Sequence, residues 1–276
     1  MNGSYFSDGT RLTFRDTGAG LPLVFLHPTP LDHDYWRPLV DDLAGVRAIV
    51  PDLRGHGGSE LGRLPIGGFA RVADAPVLNV AQLAADVLAL LDHLDVREAL
   101  FAGCSIGGYV LLELWRQAPQ RMQGLAFVCS KPQADTEEGR AKRADTIAKA
   151  LSGGVGPIFD GMAQSLIGST ARQRHPQIVG EVRKRMTLSL DALIAVQAGL
   201  AVRPDSIATV ATIQAPVMAI AGGEDSAVSA AEMEEFHAAP GGCEFHLLPD
   251  AGHFAAYEQP QKVATLLAEW LRQPDV

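Results

Sequence analysis

Three glycines crowd one serine in Gly103-Cys104-Ser105-Ile106-Gly107-Gly108, which follows an apolar run at residues 99–102 and leads into a helix-like run at residues 109–115. Strand, sharp turn and helix in that order make Gly103-x-Ser105-x-Gly107 a nucleophile elbow, whose tight backbone leaves no room for branched side chains and lifts the serine oxygen clear. The helix beginning at the serine aims its N-terminal amides and positive dipole end at any anion formed there. Ser105 is the candidate nucleophile, and Cys104 beside it reads as core beneath the turn.

A serine that attacks a carbonyl needs a base for its proton, an acid group that holds the base in one tautomer, and N–H donors for the oxyanion. The chain order that accompanies this elbow is serine, then aspartate or glutamate, then histidine. Gly222-Gly223-Glu224-Asp225 follows a strand-like stretch at 216–221, and Asp250-Ala251-Gly252-His253-Phe254 follows another at 244–248. His253 is the candidate base and Asp225 its orienting acid, with Glu224, Asp250 and Asp135 as alternatives for the acid. The oxyanion donors are the amides of Thr29 and Ile106. In His27-Pro28-Thr29-Pro30 the two prolines have no N–H, which leaves Thr29 as the main donor free to point inward. His27 reads as a structural residue tying this loop together. Asp52, Arg54 and His56 form a thin ligand set and read as a salt-bridged turn rather than a metal site. This chemistry requires neither cofactor nor metal.

The elements that must carry these loops follow from periodicity. Apolar runs at 22–26, 47–50, 99–102, 125–128 and 216–221 predict strands buried on both faces, with further strands at 12–15 and 244–248. Helices are predicted near 34–43, over 80–94 with Asn79 as N-cap and Gln82 three residues on, over 229–237, and from Pro260 with Val263, Leu266, Leu267, Trp270 and Leu271 on one stripe. This alternation predicts an α/β fold, a mostly parallel sheet with helices on both faces. Ligands in such sheets sit at the carboxyl ends of strands, where all the loops above fall. Residues 60–78, with glycines and prolines and no period, read as a long loop. Residues 131–210 carry charged runs and helical spacings such as Ile178, Val182 and Met186, and predict a helical cap or lid inserted between core segments 1–130 and 211–276. Phe159, Met162 and Leu166 are its candidates for an apolar substrate wall.

A chain of 276 residues, 47% hydrophobic and 20% charged, suits one α/β domain with an insertion. Its net charge of -9 argues against nucleic acid and anionic membrane as partners; the partner expected from the serine chemistry is a small-molecule substrate. A homo-oligomer stays open. Cys104, Cys129 and Cys243 lack metal-ligand spacing and read as reduced thiols. Residues 1–14 lack a basic start and apolar core, and no run is long enough to span a bilayer, so a cytoplasmic protein is expected.

Taken in order, His27-Pro28-Thr29-Pro30, Asp52-Leu53-Arg54-Gly55-His56-Gly57-Gly58-Ser59, the elbow, Gly222-Gly223-Glu224-Asp225 and Gly252-His253 resemble the α/β-hydrolase superfamily over nearly the whole chain. The first departs from it, since the family usually has His-Gly there. The helical insertion and Ala201-Val202-Arg203-Pro204-Asp205-Ser206 look like the 3-oxoadipate enol-lactonase-like esterases and lactonases. The resemblance implies an α/β-hydrolase fold with an inserted lid. It also implies hydrolysis of small carboxylic esters or lactones by Ser105, His253 and Asp225 through an acyl-enzyme. A serine at the elbow excludes haloalkane dehalogenases and epoxide hydrolases, which use aspartate. Hydrolysis of a carbon-carbon bond next to a ketone uses the same triad, and the same fold also serves lyases and ligand receptors.

Overall fold

In the computed structural model, which describes residues 2–69 and 72–273, the apolar runs become the middle of one sheet. The chain passes through β1 (Asn2–Ser7), β2 (Thr10–Asp16), β3 (Leu21–Leu26), α1 (Arg37–Val40), β4 (Val46–Pro51), β5 (Ile66–Phe69), β6 (Val72–Pro76), α2 (Val80–His93), β7 (Ala99–Cys104), α3 (Ile106–Gln117) and β8 (Met122–Val128). Helices α4 (Glu137–Gly153), α5 (Gly156–Leu166), α6 (Ser169–Arg174), α7 (Ile178–Arg185), α8 (Leu190–Ala201) and α9 (Ile207–Val210) follow. The chain closes with β9 (Val217–Gly222), α10 (Ala230–Met233), β10 (Cys243–Leu248), α11 (Ala255–Glu258) and α12 (Pro260–Trp270).

The 8-stranded sheet has the order β1-β2-β4-β3-β7-β8-β9-β10, antiparallel at β1, β2 and β4 and parallel from β4 to β10. Residues such as Phe25, Phe101, Phe127 and Ile220 are fully buried, as strands covered on both faces require. α3 lies over β3, β7 and β8 and packs on α2, while α1, α11 and α12 form a second group. Gly124 of β8 makes room for the Trp270 ring of that group, since a Cβ there would sit 3.0 Å from it. The molecule is thus an α/β protein with a mostly parallel sheet. Among the described residues no helix is long and apolar enough to cross a membrane.

The structure departs from the sequence expectation at several places, among them 229–237, where only the four residues of α10 are α-helical and a 3₁₀ turn at Glu234–Ala238 follows. Residues 34–43 do not make one helix. His33–Tyr35 form a 3₁₀ turn capped by Asp32, and only the four residues of α1 are α-helical, with Pro38 in their first turn and Gly45 at φ 78° leading the chain away. Residues 60–78 contain the antiparallel hairpin β5–β6, whose register shifts between Gly67 and Phe69. β1 adds an antiparallel edge strand beyond the strands expected from the sequence. At α2 the Asn79 side chain accepts the Gln82 amide at 2.8 Å, but the Gln82 side chain turns to Asp86, so only half of a capping box forms.

The helices between β8 and β9 leave and rejoin the sheet side by side. Ser206 donates its N–H to Pro132 O at 2.8 Å, Ala134 donates to Asp205 Oδ2 at 3.1 Å, and Arg203 donates to Gln133 O at 2.8 Å. Asp135 then bridges Arg143 on α4 and Arg203 beyond α8. Arg203 also stacks over the Tyr109 ring of α3 at 4.3 Å, so the ends of this insertion are fixed to the elbow helix.

Candidate active site

Ser105 lies between the end of β7 and the start of α3, as the helix N-cap, with φ 53° and ψ −115°, a left-handed conformation that few residues with a side chain adopt. Its neighbours permit it. A Cβ on Gly107 would lie 2.3 Å from Leu26 O, and one on Gly108 would lie 2.2 Å from Ser130 Oγ. Ser105 donates its N–H to Val128 O at 3.1 Å, and Ser130 donates its hydroxyl to Ser105 O at 2.9 Å. Cys104 is fully buried, takes the Tyr35 hydroxyl at 3.2 Å, and has its thiol pushed far up by burial. It is a core group, as its position in the strand suggests.

The loops after β9 and β10 bring Asp225 and His253 together. His253 Nδ1 stands 2.8 Å from Asp225 Oδ2, with both side chains almost wholly buried. The other carboxylate oxygen, Oδ1, accepts the N–H groups of Ala227 at 2.7 Å and Val228 at 3.1 Å. Burial alone would push the Asp225 carboxyl up, but the His253 charge, its hydrogen bond and these two amides hold it below the usual carboxylate range. With Oδ2 as acceptor, Nδ1 carries the proton and Nε2 keeps its lone pair. The alternative acids are engaged elsewhere. Glu224 takes Thr170, Asp250 faces Arg174, and Asp135 is paired with Arg143 and Arg203.

Thr29 is placed by two buried histidines. His27 accepts the Leu53 N–H at Nε2 and donates from Nδ1 to Pro28 O, each at 3.0 Å. His56 donates from Nδ1 to Arg54 O at 3.0 Å, which leaves Nε2 to accept the Thr29 hydroxyl at 3.0 Å. Arg54 reaches Asp86 with two guanidinium nitrogens, and Asp52 takes the His33 ring at 2.8 Å, so this turn is an ion-paired structural unit. Ile106 is buried at the first turn of α3. Among the described residues no group of three or more histidines, cysteines or acids could hold a metal.

The two histidines give the fold an acid-sensitive joint. Burial pushes His27 down to about 4 against the pull of Asp52, and burial followed by the charge of His27 pushes His56 down to about 3. Both are neutral in the folded protein. Their contribution is therefore complete above the ordinary imidazole value of about 6.5 and is lost as the pH falls from there toward those depressed values. His33 works in the opposite sense, because Asp52 raises it, but it is a single, partly exposed ring. Between pH 7 and pH 4.5 the two rings together should cost about 5 kcal/mol in urea unfolding, less what His33 returns. An unchanged urea midpoint over that range would contradict this account.

Ser105, Thr29 and His253 line one cavity of about 400 Å³, with Asp225 behind the histidine. Met162 and Leu166 of α5 line its apolar side, whereas Phe159 turns away into the core under the Arg183 guanidinium. Lys131 and Arg143 line the polar side, each paired with an acid at 2.5 Å. Glu258 was not foreseen. Its carboxylate accepts the amides of Gly168, Gly252 and Phe254, on either side of His253. Nothing local in the sequence marks this role, because the Gly168 amide arrives from 90 residues away.

Comparisons with known proteins add relatives. The chain is 28% identical over 263 residues to the dihydrolipoyllysine-residue acetyltransferase component of the acetoin cleaving system of Pseudomonas putida, matching 92% of this chain and 64% of that one. The chain therefore spans less than two thirds of that relative's length. It is 29% identical over 267 residues to the 2-succinyl-6-hydroxy-2,4-cyclohexadiene-1-carboxylate synthase of Salmonella arizonae, with 92% and 95% of the two chains matched. A thermophilic esterase from Thermogutta terrifontis, solved with malate bound, superposes with a TM-score of 0.85 at 29% identity, covering 98% of this chain and 96% of that one. The model of the alpha/beta hydrolase family matches residues 23–266, and together with the sheet order this makes the chain a member of that family.

Proposed function

We propose that the protein is a serine hydrolase of small carboxylic esters or lactones. The observation that carries this reading is the 2.8 Å bond from His253 to a buried Asp225, with His253 and Ser105 lining one cavity. Ser105 Oγ attacks the carbonyl carbon as its proton passes to His253 Nε2, and Asp225 stabilises the imidazolium. The oxyanion takes the amides of Thr29 and Ile106, each of which is worth about 10²- to 10³-fold in rate. His253 then protonates the leaving alkoxide, the C–O bond breaks, and the acyl group stays on Ser105. Water, deprotonated by His253, attacks this acyl-enzyme and releases the acid, and the proton returns to Ser105. The helices of residues 131–210 act as a cap, with Met162 and Leu166 as the apolar wall. Neither metal nor cofactor takes part in these steps.

The relationship to the esterase supports hydrolysis. The identity with the synthase over 95% of its length favours a second reading, in which the same three residues serve non-hydrolytic or carbon-carbon bond chemistry. Mass spectrometry after a fluorophosphonate tests the nucleophile, and a panel of aryl esters, lactones and vinylogous diketones tests the reaction. The expected result is a single adduct on Ser105 and turnover of esters or lactones above that of diketones. An adduct on Cys104, or none, would overturn the nucleophile, and preferential diketone cleavage would transfer the protein to the second reading.

A further inference from the structure

The backbone polar groups of Gly252, His253 and Phe254 are all engaged. Gly252 N–H goes to Glu258 Oε2 at 2.9 Å, His253 N–H to Leu166 O at 2.8 Å, and Phe254 N–H to Glu258 Oε1 at 3.2 Å. The carbonyls are taken as well, Gly252 O by the Cys129 thiol at 3.6 Å and His253 O by the Cys104 thiol at 3.7 Å. Phe254 O accepts the amides of Tyr257 and Glu258.

Glu258 does more than hold this loop. Its Oε2 also accepts the Gly168 amide, at 3.0 Å, from the junction between α5 and α6. Gly168 and Gly252 touch so closely that a Cβ on Gly252 would lie 2.3 Å from Gly168 N. One carboxylate oxygen therefore gathers two amides from segments far apart in sequence. The same junction supplies Leu166 O to the histidine and Ser165 O to the Ser226 hydroxyl beside Asp225, and it gives Thr170 to Glu224.

We propose that Glu258 is a positioning residue for His253: its carboxylate fixes where the imidazole stands, ties that placement to the α5–α6 junction, and favours the imidazolium by its negative charge. The proposal rests on the serine-hydrolase reading. Three N–H donors favour the ionised form of this acid, although burial raises it above the usual glutamate range. The titratable groups that face it are His253, Glu224 across Gly168, and the buried Tyr35 and Cys104. Arg174, His175, Asp250 and Lys262 line the surface cleft beside it. Glutamine in its place keeps the size but brings an NH₂ against an N–H donor and removes the charge.

The test is the rate of fluorophosphonate labelling of Ser105 between pH 5 and pH 9 in native protein, Glu258→Gln and Gly168→Ala. E258Q is expected to label about 10- to 100-fold more slowly on the pH plateau, as for a misplaced reacting group. Its acid limb should lie about 0.5 to 1 pH unit lower, because the imidazolium has lost a nearby negative charge. G168A, which crowds the same junction but keeps the charge, should slow the plateau and leave the limb in place. A purely structural glutamate would not move the limb. A folded E258Q with an unmoved limb, or with a plateau within twofold of native, overturns the proposal. Should circular dichroism show E258Q unfolded, Glu258→Asp decides: slower labelling with the limb in place supports the proposal, and native-like labelling overturns it. Native protein that takes no label at Ser105 overturns the hydrolase reading and this proposal with it.

Discussion

Replacing Ser105 by alanine should lower kcat for ester hydrolysis by about 10⁵- to 10⁶-fold, the loss seen when a nucleophile of this kind is removed. The fold should not follow it down. The Ser105 hydroxyl makes no hydrogen bond to any described residue, and the bonds that shape the elbow run through its backbone, from Ser105 N–H to Val128 O and from the Ser130 hydroxyl to Ser105 O. Alanine meets the same left-handed φ of 53° that serine already tolerates. Urea unfolding of Ser105→Ala should therefore match native protein to within about 0.5 kcal/mol, as for changes that break no packing or hydrogen bond. Residual activity within a hundredfold of native would mean that another group does the chemistry.

Asp225→Asn should cost about 10⁴-fold in kcat with little change in KM, because it spoils a tautomer and not a binding contact. The native carboxylate has a division of labour, Oδ1 accepting the Ala227 and Val228 amides and Oδ2 facing His253 Nδ1. In asparagine the carbonyl oxygen keeps the two amides, so the NH₂ faces the ring. His253 must then accept at Nδ1 and carry its proton on Nε2, where it can no longer take one from Ser105. Steady-state kinetics on the best ester of the panel, with circular dichroism to show an intact fold, reads this outcome. A loss of less than tenfold would remove Asp225 from the orienting role and return the question to its acidic neighbours.

Legibility in the sequence tracked how local the physics is. The strands around the elbow were readable because burial on both faces writes a continuous apolar run, as in Leu23–Leu26 and Ala219–Ala221. Ser105, Asp225 and His253 stand out in the sequence because each follows a strand-like stretch and has glycine close by, a local pattern that needs no distant partner. β1 escaped because its outward residues include Phe6, 69% exposed, which blurs the alternation an edge strand should show. The β5–β6 hairpin escaped because its glycines and prolines read as loop, while what orders its flank is remote: Leu78 N–H bonds to Ala195 O of α8. α8 can come that close because Gly199 has no Cβ to strike Leu78 O. Glu258 escaped for the same reason on a smaller scale, since its role is defined by partners such as Gly168 that only the folded chain brings to it.

The paired ends of the helical insertion carry a practical consequence. Because residues 132–134 and 203–206 are hydrogen-bonded to each other, the helices between them behave as a cassette with adjoining splice points. A segment transplanted at those points would have to bring both a carbonyl where Leu166 O receives the His253 N–H and a glycine where Gly168 meets Gly252, because this block also holds the loop that carries His253.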